Sequence, residues 1–392
     1  MQKSTLRSFT APGQGGCTAI ATALLLVGLL LTLLSACGES GPIIIGFAGP
    51  LEGTYSDLGV QGRNGAQLAI ELENTRGGVN GRALKLISEH DGETPDQARV
   101  AVKILKDSGA IAIIGHMLSA QSLASYELAE ELKIPRVSPT SATPLLSNRE
   151  DLFFRLIPSG TELAQGLASY CRTEDRAETV FTLLDLDNKA FTAPFTQAFG
   201  ERFSSLGGRI LEQSGIHSST TQSWEDIARR IETSGASALF VALSARDLAA
   251  LASQLRVQGC MIPIYSTMWA YTRELILAGG RAVEGIIFAV SYIGDSQRPE
   301  FLEFQRRYQE RFGWLPNYAA AFGYEAANVL IEALRWTGGD PSKLPAGMLA
   351  FGNHPGVTGP ILFNPYGDVI RPSYLVTIRE REFLTLATIG SD

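Results

Sequence analysis

The sequence predicts an α/β protein made of two doubly wound parallel-sheet lobes joined by a multi-strand hinge. Three observations lead there. Short β-rich runs alternate with longer helical patterns from residue 43 onward, the signature of parallel sheets wound on both faces. The first run, Ile43-Ile44-Ile45-Gly46-Phe47-Ala48, is continuously apolar, as a strand covered on both faces must be. The alternation then restarts after the turn formers Ile157-Pro158-Ser159-Gly160, which mark the border between lobes.

Taken in order, the first strand is followed by a helix over 60–74, with Ala66, Ala69, Ile70 and Leu72 on its apolar face. Gly77-Gly78 stops it, and 84–89 reads as the second strand. Thr94-Pro95-Asp96-Gln97 opens the next helix: Thr94 caps, Pro95 suits the first turn, and Gln97 reaches back to complete a capping box. Residues 110–115 form a third strand, a helix begins at Ser119, and strands follow at 135–138 and 152–156. In the second lobe, strands at 179–184, 238–243, 262–265 and 285–290 alternate with helices near 161–171, 191–206, 223–233, 246–258 and 271–278. Helices near 297–312 and 318–336 come next, and strands at 361–363, 374–379 and 382–387 end the chain. No tandem repeat or low-complexity stretch interrupts the pattern.

The first residues speak to compartment. Lys3 and Arg7 precede an apolar run over 19–34, which ends at Leu34-Ser35-Ala36-Cys37 before the polar Gly38-Glu39-Ser40-Gly41. A basic start, an apolar centre and small residues at the exit read as a secretory leader, shorter than the ~20 apolar residues a spanning helix needs. Leu-Ser-Ala-Cys resembles a bacterial lipobox, which implies cleavage before Cys37 and attachment of lipid to its thiol. The alternative is an uncleaved anchor; in both cases the body lies outside the cytoplasm. Loss of Lys3 and Arg7 with an acid-free leader takes the net charge from −7 to about −9. An acidic body without basic clusters argues against nucleic acid as a partner. Cys171 and Cys260 remain, either bridged or free.

Signatures of catalysis are missing. Gly-Lys never occurs, so there is no Walker A loop, and Gly59-Val60-Gln61-Gly62-Arg63-Asn64-Gly65 lacks the dinucleotide spacing. There is no Gly-x-Ser-x-Gly elbow, and His90, His116, His217 and His354 have no paired zinc-ligand spacing. The expectation is no enzyme, no cofactor and no metal.

The informative feature is Ile113-Ile114-Gly115-His116-Met117-Leu118-Ser119-Ala120-Gln121-Ser122. A buried strand ends at glycine and a helix starts beside Ser119, a candidate N-cap, so free N–H groups and the helix dipole face the carboxyl edge of the sheet. Open α/β sheets bind ligands there, and the geometry suits a carboxylate. Two other loops accompany it. Gly49-Pro50-Leu51-Glu52-Gly53-Thr54-Tyr55-Ser56-Asp57-Leu58-Gly59, with Asn64-Gly65-Ala66 behind, follows the first strand, and Val137-Ser138-Pro139-Thr140-Ser141-Ala142-Thr143-Pro144 spans the fourth.

These three loops, in this order and spacing, resemble the branched-chain amino-acid (Leu/Ile/Val) binding proteins of ABC importers, which have the periplasmic binding protein type I fold. The likeness extends through Gly77-Gly78-Val79-Asn80-Gly81-Arg82 and Asp91, fades after about residue 160, and returns over 359–367. The resemblance implies that Ser119, with Ala120, takes the ligand carboxylate. It implies that Thr140, Ser141, Ala142 and Thr143 offer backbone and hydroxyl groups, although Ala142 stands where the family has its Thr. Tyr55 or Leu58 walls the pocket or simply packs the lobe.

In the second lobe the family's Asp-x-x-Tyr-Gly turn is replaced by Asp185-Leu186-Asp187-Asn188-Lys189-Ala190-Phe191. Asp187, Phe191, Ser244, Met268 and Trp269 are the candidate ligand-binding residues on that side. No carboxylate stands near Met268, where the family receives the ligand ammonium. Either Asp185, Asp187 or another acid substitutes, or the ligand is not a simple α-amino acid.

The resulting reading is an extracytoplasmic, lipid-anchored, monomeric binding protein that closes over an amino acid or related small carboxylate or amide. It would deliver its guest to a permease with a cytoplasmic ATPase. A sensory binding protein of the same fold and an exported enzyme are the other classes. The chain divides into a leader (1–36), a tether (37–42), a first lobe (43–157 plus 292–345) and a second lobe (158–290 plus 346–392).

Overall fold

The computed structural model describes residues 41–389 except 221 and 351, together with residue 5. The apolar run over 19–34 and Cys37, on which the reading of a leader and a lipobox rests, lie outside the described residues. Among the described residues, no helix is long and apolar enough to cross a membrane.

The first sheet is built from β1 (Ile43–Gly49), α1 (Ser56–Thr75), β2 (Leu84–His90), α2 (Pro95–Asp107), β3 (Ile113–Gly115), α3 (Ser119–Ala124), α4 (Tyr126–Glu131), β4 (Arg136–Ser138) and β5 (Phe153–Arg155). Its order is β2-β1-β3-β4-β5, parallel throughout. The second begins with α5 (Gly160–Thr173), β6 (Thr179–Asp185), α6 (Lys189–Ser205), β7 (Arg209–Ile216), α7 (Trp224–Thr233) and β8 (Ala238–Ala242). It continues with α8 (Ala245–Val257), β9 (Ile264–Thr267), α9 (Arg273–Gly279) and β10 (Ile287–Val290). The remaining elements are α10 (Pro299–Phe312), α11 (Tyr318–Trp336), α12 (Leu344–Ala350), β11 (Leu362–Phe363), β12 (Val369–Ile370), β13 (Ser373–Arg379) and β14 (Glu382–Ile389).

The parallel part of the second sheet, β7-β6-β8-β9-β10, repeats the winding of the first. The sequence predicts parallel sheets; the second sheet is parallel in its core but carries an antiparallel edge. β13 joins β10 antiparallel and β14 extends it, because a tight turn at 380–381 returns the chain as a hairpin. Glu380 and Arg381 both take positive φ there. The strand β7 escaped the sequence reading: it is a half-exposed edge whose Arg-Ile-Leu-Glu-Gln-Ser-Gly-Ile pattern mixes polar and apolar residues. The Thr94 capping box forms as expected, with Gln97 N donating to Thr94 Oγ1 at 3.3 Å and Thr94 N donating to Gln97 Oε1 at 3.1 Å.

The chain passes between the sheets three times: between Arg155 and Gly160, between Val290 and Pro299, and between Ile370 and Ser373. Helices α10 and α11 pack on α1 of the first lobe. Residues 344–371 follow them. Gly347 sits against Ala333 of α11, Phe154 meets Phe363 edge-on at 5.5 Å, and Arg155 Nε pairs with Asp368 Oδ1 at 2.8 Å. Arg371 and Glu325 form a buried ion pair at 2.5 Å. These contacts support placing 344–371 with the first lobe, and we propose a boundary near 372 in place of 346.

Helix α1 begins four residues earlier than its apolar pattern suggests, because glycines interrupt the pattern. Their purpose is close approach. A Cβ on Gly65 would stand 1.9 Å from the Ala320 carbonyl oxygen, and one on Gly323 would stand 2.1 Å from that of Gly62. α1 and α11 therefore touch backbone to backbone, and this contact ties the late helices to the first sheet.

Cys171 and Cys260 are free thiols, the first buried. Burial pushes the Cys171 thiol up to about 12, against a hydrogen bond from Tyr265.

Gly65→Ala should lower stability by about 1–3 kcal/mol or more in urea unfolding, since a methyl group has no room at that crossing. Gly200→Ala is the control: its Cβ would meet nothing closer than 3.7 Å, and helix propensity alone should stabilise by about 0.5–1 kcal/mol.

Candidate functional site

In the order β2-β1-β3-β4-β5 the winding direction reverses between β1 and β3, and in the second sheet it reverses between β6 and β8. Loops leaving the carboxyl ends at such a switch point splay apart and leave a crevice. The two crevices meet, and the segments after β3, β4, β5, β6 and β9, with the first turn of α1, enclose one cavity.

The β3–α3 loop is held from behind. Gly115 takes φ +135, and a Cβ there would lie 2.2 Å from the Ala48 carbonyl oxygen. The next residue, His116, is fully buried with Nδ1 2.7 Å from Asp91 Oδ2. Its carbonyl accepts hydrogen bonds from Ser138 Oγ at 2.7 Å and Ser141 Oγ at 3.2 Å, which locks the loop to the one after β4.

Ser119 is not the N-cap. Leu118 occupies that position, Ser119 is the first helical residue, and α3 ends at Ala124. So short a helix has little macrodipole, and the individual first-turn amides and the Ser119 hydroxyl carry the polar character. That hydroxyl lines the cavity without a hydrogen-bond partner among the described residues. Ala120 N donates across the cleft to Asn188 Oδ1 at 3.2 Å.

The cavity has about 30 Å³ of solvent-accessible volume, so the lobes are nearly shut. Of the residues singled out from sequence, Ser119, Thr140, Ala142, Leu58, Phe191, Met268 and Trp269 are on its wall. Thr140 donates to the Met117 carbonyl at 2.5 Å, so its hydroxyl proton is already committed. Ser141 and Thr143 turn inward: Ser141 Oγ meets Ser122 Oγ at 2.6 Å, and Thr143 Oγ1 accepts from Leu145 N at 3.3 Å.

Tyr55 sits behind the wall, with its ring 5.3 Å from that of Trp269, and donates its hydroxyl to Asp185 Oδ2 at 2.7 Å. Ser244 caps α8, accepting from Asp247 N at 3.3 Å, and is not on the wall. Nor is Asp187. Burial raises its pKa, but hydrogen bonds from His217 at 2.7 Å and the Ser219 amide at 2.8 Å prevail and hold its carboxyl below the usual range.

Sequence reasoning missed Met117, Leu118, Ile157, Leu163, Asn188, Phe195 and Tyr318 as wall residues. Asn188 carried a signal, since it stands in the turn after β6 at the second switch point. Tyr318 carried none, because it arrives from α11, far along the chain. The wall is aromatic and aliphatic, with Ser119, Thr140, Asn188 and Tyr318 as its polar members and no carboxylate among them. Among the described residues no three His, Cys, Asp or Glu side chains cluster as a metal site would require.

The profile of a family described as periplasmic binding protein matches residues 42–382. An amino acid binding protein of Pseudomonas aeruginosa is 26% identical over 80% of this chain and 85% of its own length. A Leu/Ile/Val-binding protein homolog of Brucella abortus is 22% identical over 90% of this chain and 95% of its own. The crystal structure of a leucine binding protein from Thermotoga maritima superposes with a TM-score of 0.82 at 25% identity, covering 89% of this chain and 99% of that one.

Of the four tryptophans, Trp269 is in the cleft, whereas Trp336 is half exposed at the end of α11. Any change of tryptophan emission on guest binding should vanish in Trp269→Phe and persist in Trp336→Phe, measured by titration at fixed excitation.

Proposed function

This chain belongs to the periplasmic binding protein family, and we propose that it captures an amino acid or a related small carboxylate or amide for an ABC importer. The family and fold are those of extracytoplasmic substrate-binding proteins that bind small molecules and work with a membrane permease; they are not those of enzymes.

The observation that carries the reading is the wall of the cavity. Polar groups of the first lobe, the Ser119 hydroxyl foremost, face an aromatic and aliphatic surface from the second. The guest docks its acidic or amide end on the Ser119 and Thr140 loops. Phe191, Met268 and Trp269 then close over its apolar part, so contacts to both lobes exist only in the shut form. The curated relatives carry amino-acid binding in their names, which supports the ligand class. A membrane anchor through lipid on Cys37, and action as a monomer, complete the proposal; the lipobox supports the first.

Thermal unfolding with amino acids, amides, ureas and aromatic acids tests this. A specific guest at a hundredfold excess over its Kd should add about 2.7 kcal/mol, and no stabilisation by any member of the panel would count against the proposal. Ser119→Ala should weaken the best guest about tenfold or more, because a charge-assisted hydrogen bond is lost. Leucine and 4-methylpentanoate form an informative pair. With no carboxylate on the wall, the leucine ammonium would be buried unpaired, so 4-methylpentanoate should bind about tenfold tighter or more; tighter binding of leucine would mean that an acid reaches its ammonium.

A further inference from the structure

We infer that Tyr55 and Asp185 form a proton-linked latch between the lobes, so that closure takes up a proton. This rests on the reading of the chain as a protein whose lobes part and close. Tyr55 lies in the β1–α1 loop of the first lobe and Asp185 ends β6 of the second, and the hydrogen bond between them is buried.

Asp185 Oδ2 does not stop at Tyr55. Ser218 Oγ lies 2.7 Å from it and 2.5 Å from Asp247 Oδ2, and Ser244 Oγ lies 2.9 Å from that same Asp247 oxygen. With the Tyr55 contact at 2.7 Å, four oxygen–oxygen contacts run in a chain. Each needs a hydrogen, and the three hydroxyls supply only three. The fourth belongs to a carboxyl group. Asp185 holds it: the residue is fully buried, and burial raises its pKa against the bonds from Tyr55, the Asp187 amide and Ser218.

The chain of donors is then complete. Asp185 Oδ2 donates to Ser218 Oγ and Ser218 to Asp247, while Ser244 also donates to Asp247. Asp185 Oδ1 accepts the Asp187 amide at 2.8 Å. The charged groups facing the network are few. Asp187 is paired with His217 at 2.7 Å, Asp247 shares Ser218, and Tyr55 comes from across the cleft with its phenol pushed up first by burial and then by Asp185. No Lys or Arg forms an ion pair with Asp185 or Asp247 among the described residues.

Opening withdraws Tyr55, lets water reach Asp185, and returns its acidity toward the ordinary carboxylate range near about 4. A pKa raised in the shut form means that closure is favoured fully below the open-form value. The advantage is lost as pH rises to the shut-form value. Between the two values the shut-to-open ratio falls about tenfold per pH unit.

The test measures interlobe distance distributions without guest, from spin labels on exposed positions of α2 and α7, between pH 5 and 8. The wild-type protein should show a shut population at pH 5 that shrinks by pH 8. Asp247→Asn should hold the same shut population at both, because its amide donates to Ser218 and Ser244 and replaces the missing hydrogen without titrating. Asp185→Asn removes the titrating carboxyl itself, so its shut-to-open ratio should not change with pH. Tyr55→Phe should lower the shut population at pH 5. No shut population in the wild-type protein at pH 5, a wild-type ratio that does not change with pH, or a slope retained in both Asp247→Asn and Asp185→Asn would overturn the latch. If Asp247→Asn does not fold, Asp185→Asn decides. Because no guest is present, a flat profile leaves solute binding standing, and a failed search for ligands leaves this test intact.

Discussion

Every polar group between the two lobes must be paired when the lobes are shut and hydrated when they part. A buried donor or acceptor left without a partner costs about 1–3 kcal/mol, so any group that cannot meet both conditions biases the molecule toward one state. The interface meets the demand sparingly. Tyr55 finds Asp185 and the Ala120 amide finds Asn188, while Trp269, Phe191 and Leu58 make up much of the remaining surface. Apolar surface is indifferent to exact register and is exposed at a cost roughly proportional to area, which suits an interface that has to open.

Placing those few groups requires rigid loops, and rigidity comes from backbone contacts that only glycine permits. Gly115 brings the end of β3 against β1, and Gly65 and Gly323 bring α1 against α11. The carbonyl of His116 gathers Ser138 and Ser141, so the two loops that present Ser119 and Thr140 form one unit. A loop tied in this way presents its hydroxyls in place before any guest arrives. The entropic cost of ordering it has been met on folding, and binding need not supply it again.

The architecture was largely legible because periodicity and capping are local. The strand at 43–48, the Thr94 capping box and the helix over 318–336 need only neighbouring residues to specify them. What escaped was decided by distant partners. The edge strand β7 is polar on one face and depends on β6 for its definition. The early start of α1 is hidden by glycines whose reason lies in α11. In the site, the Ser119 and Thr140 loops could be read because turn residues after apolar strands mark the carboxyl edge. Tyr318 and Ile157 could not, since their place on the wall follows from how the lobes meet. The inward turn of Ser141 and Thr143 was equally unreadable: a hydroxyl's sequence position does not reveal whether a carbonyl waits behind it.

The absence of an acid from the wall and the presence of one just behind it are two sides of a single arrangement. Asp185 lies at the carboxyl end of β6 behind Tyr55, whose ring packs on Trp269, and its oxygens are taken by Tyr55, Ser218 and the Asp187 amide. An ammonium entering the cavity would have to displace Tyr55 to reach it. That exchange would trade a bond that joins the lobes for one that joins guest to second lobe. A guest without an ammonium leaves the latch in place and adds its own contacts to those already holding the lobes. Closure and ligand chemistry are therefore not independent properties of this fold: the residue that answers a cation is the same one that answers Tyr55.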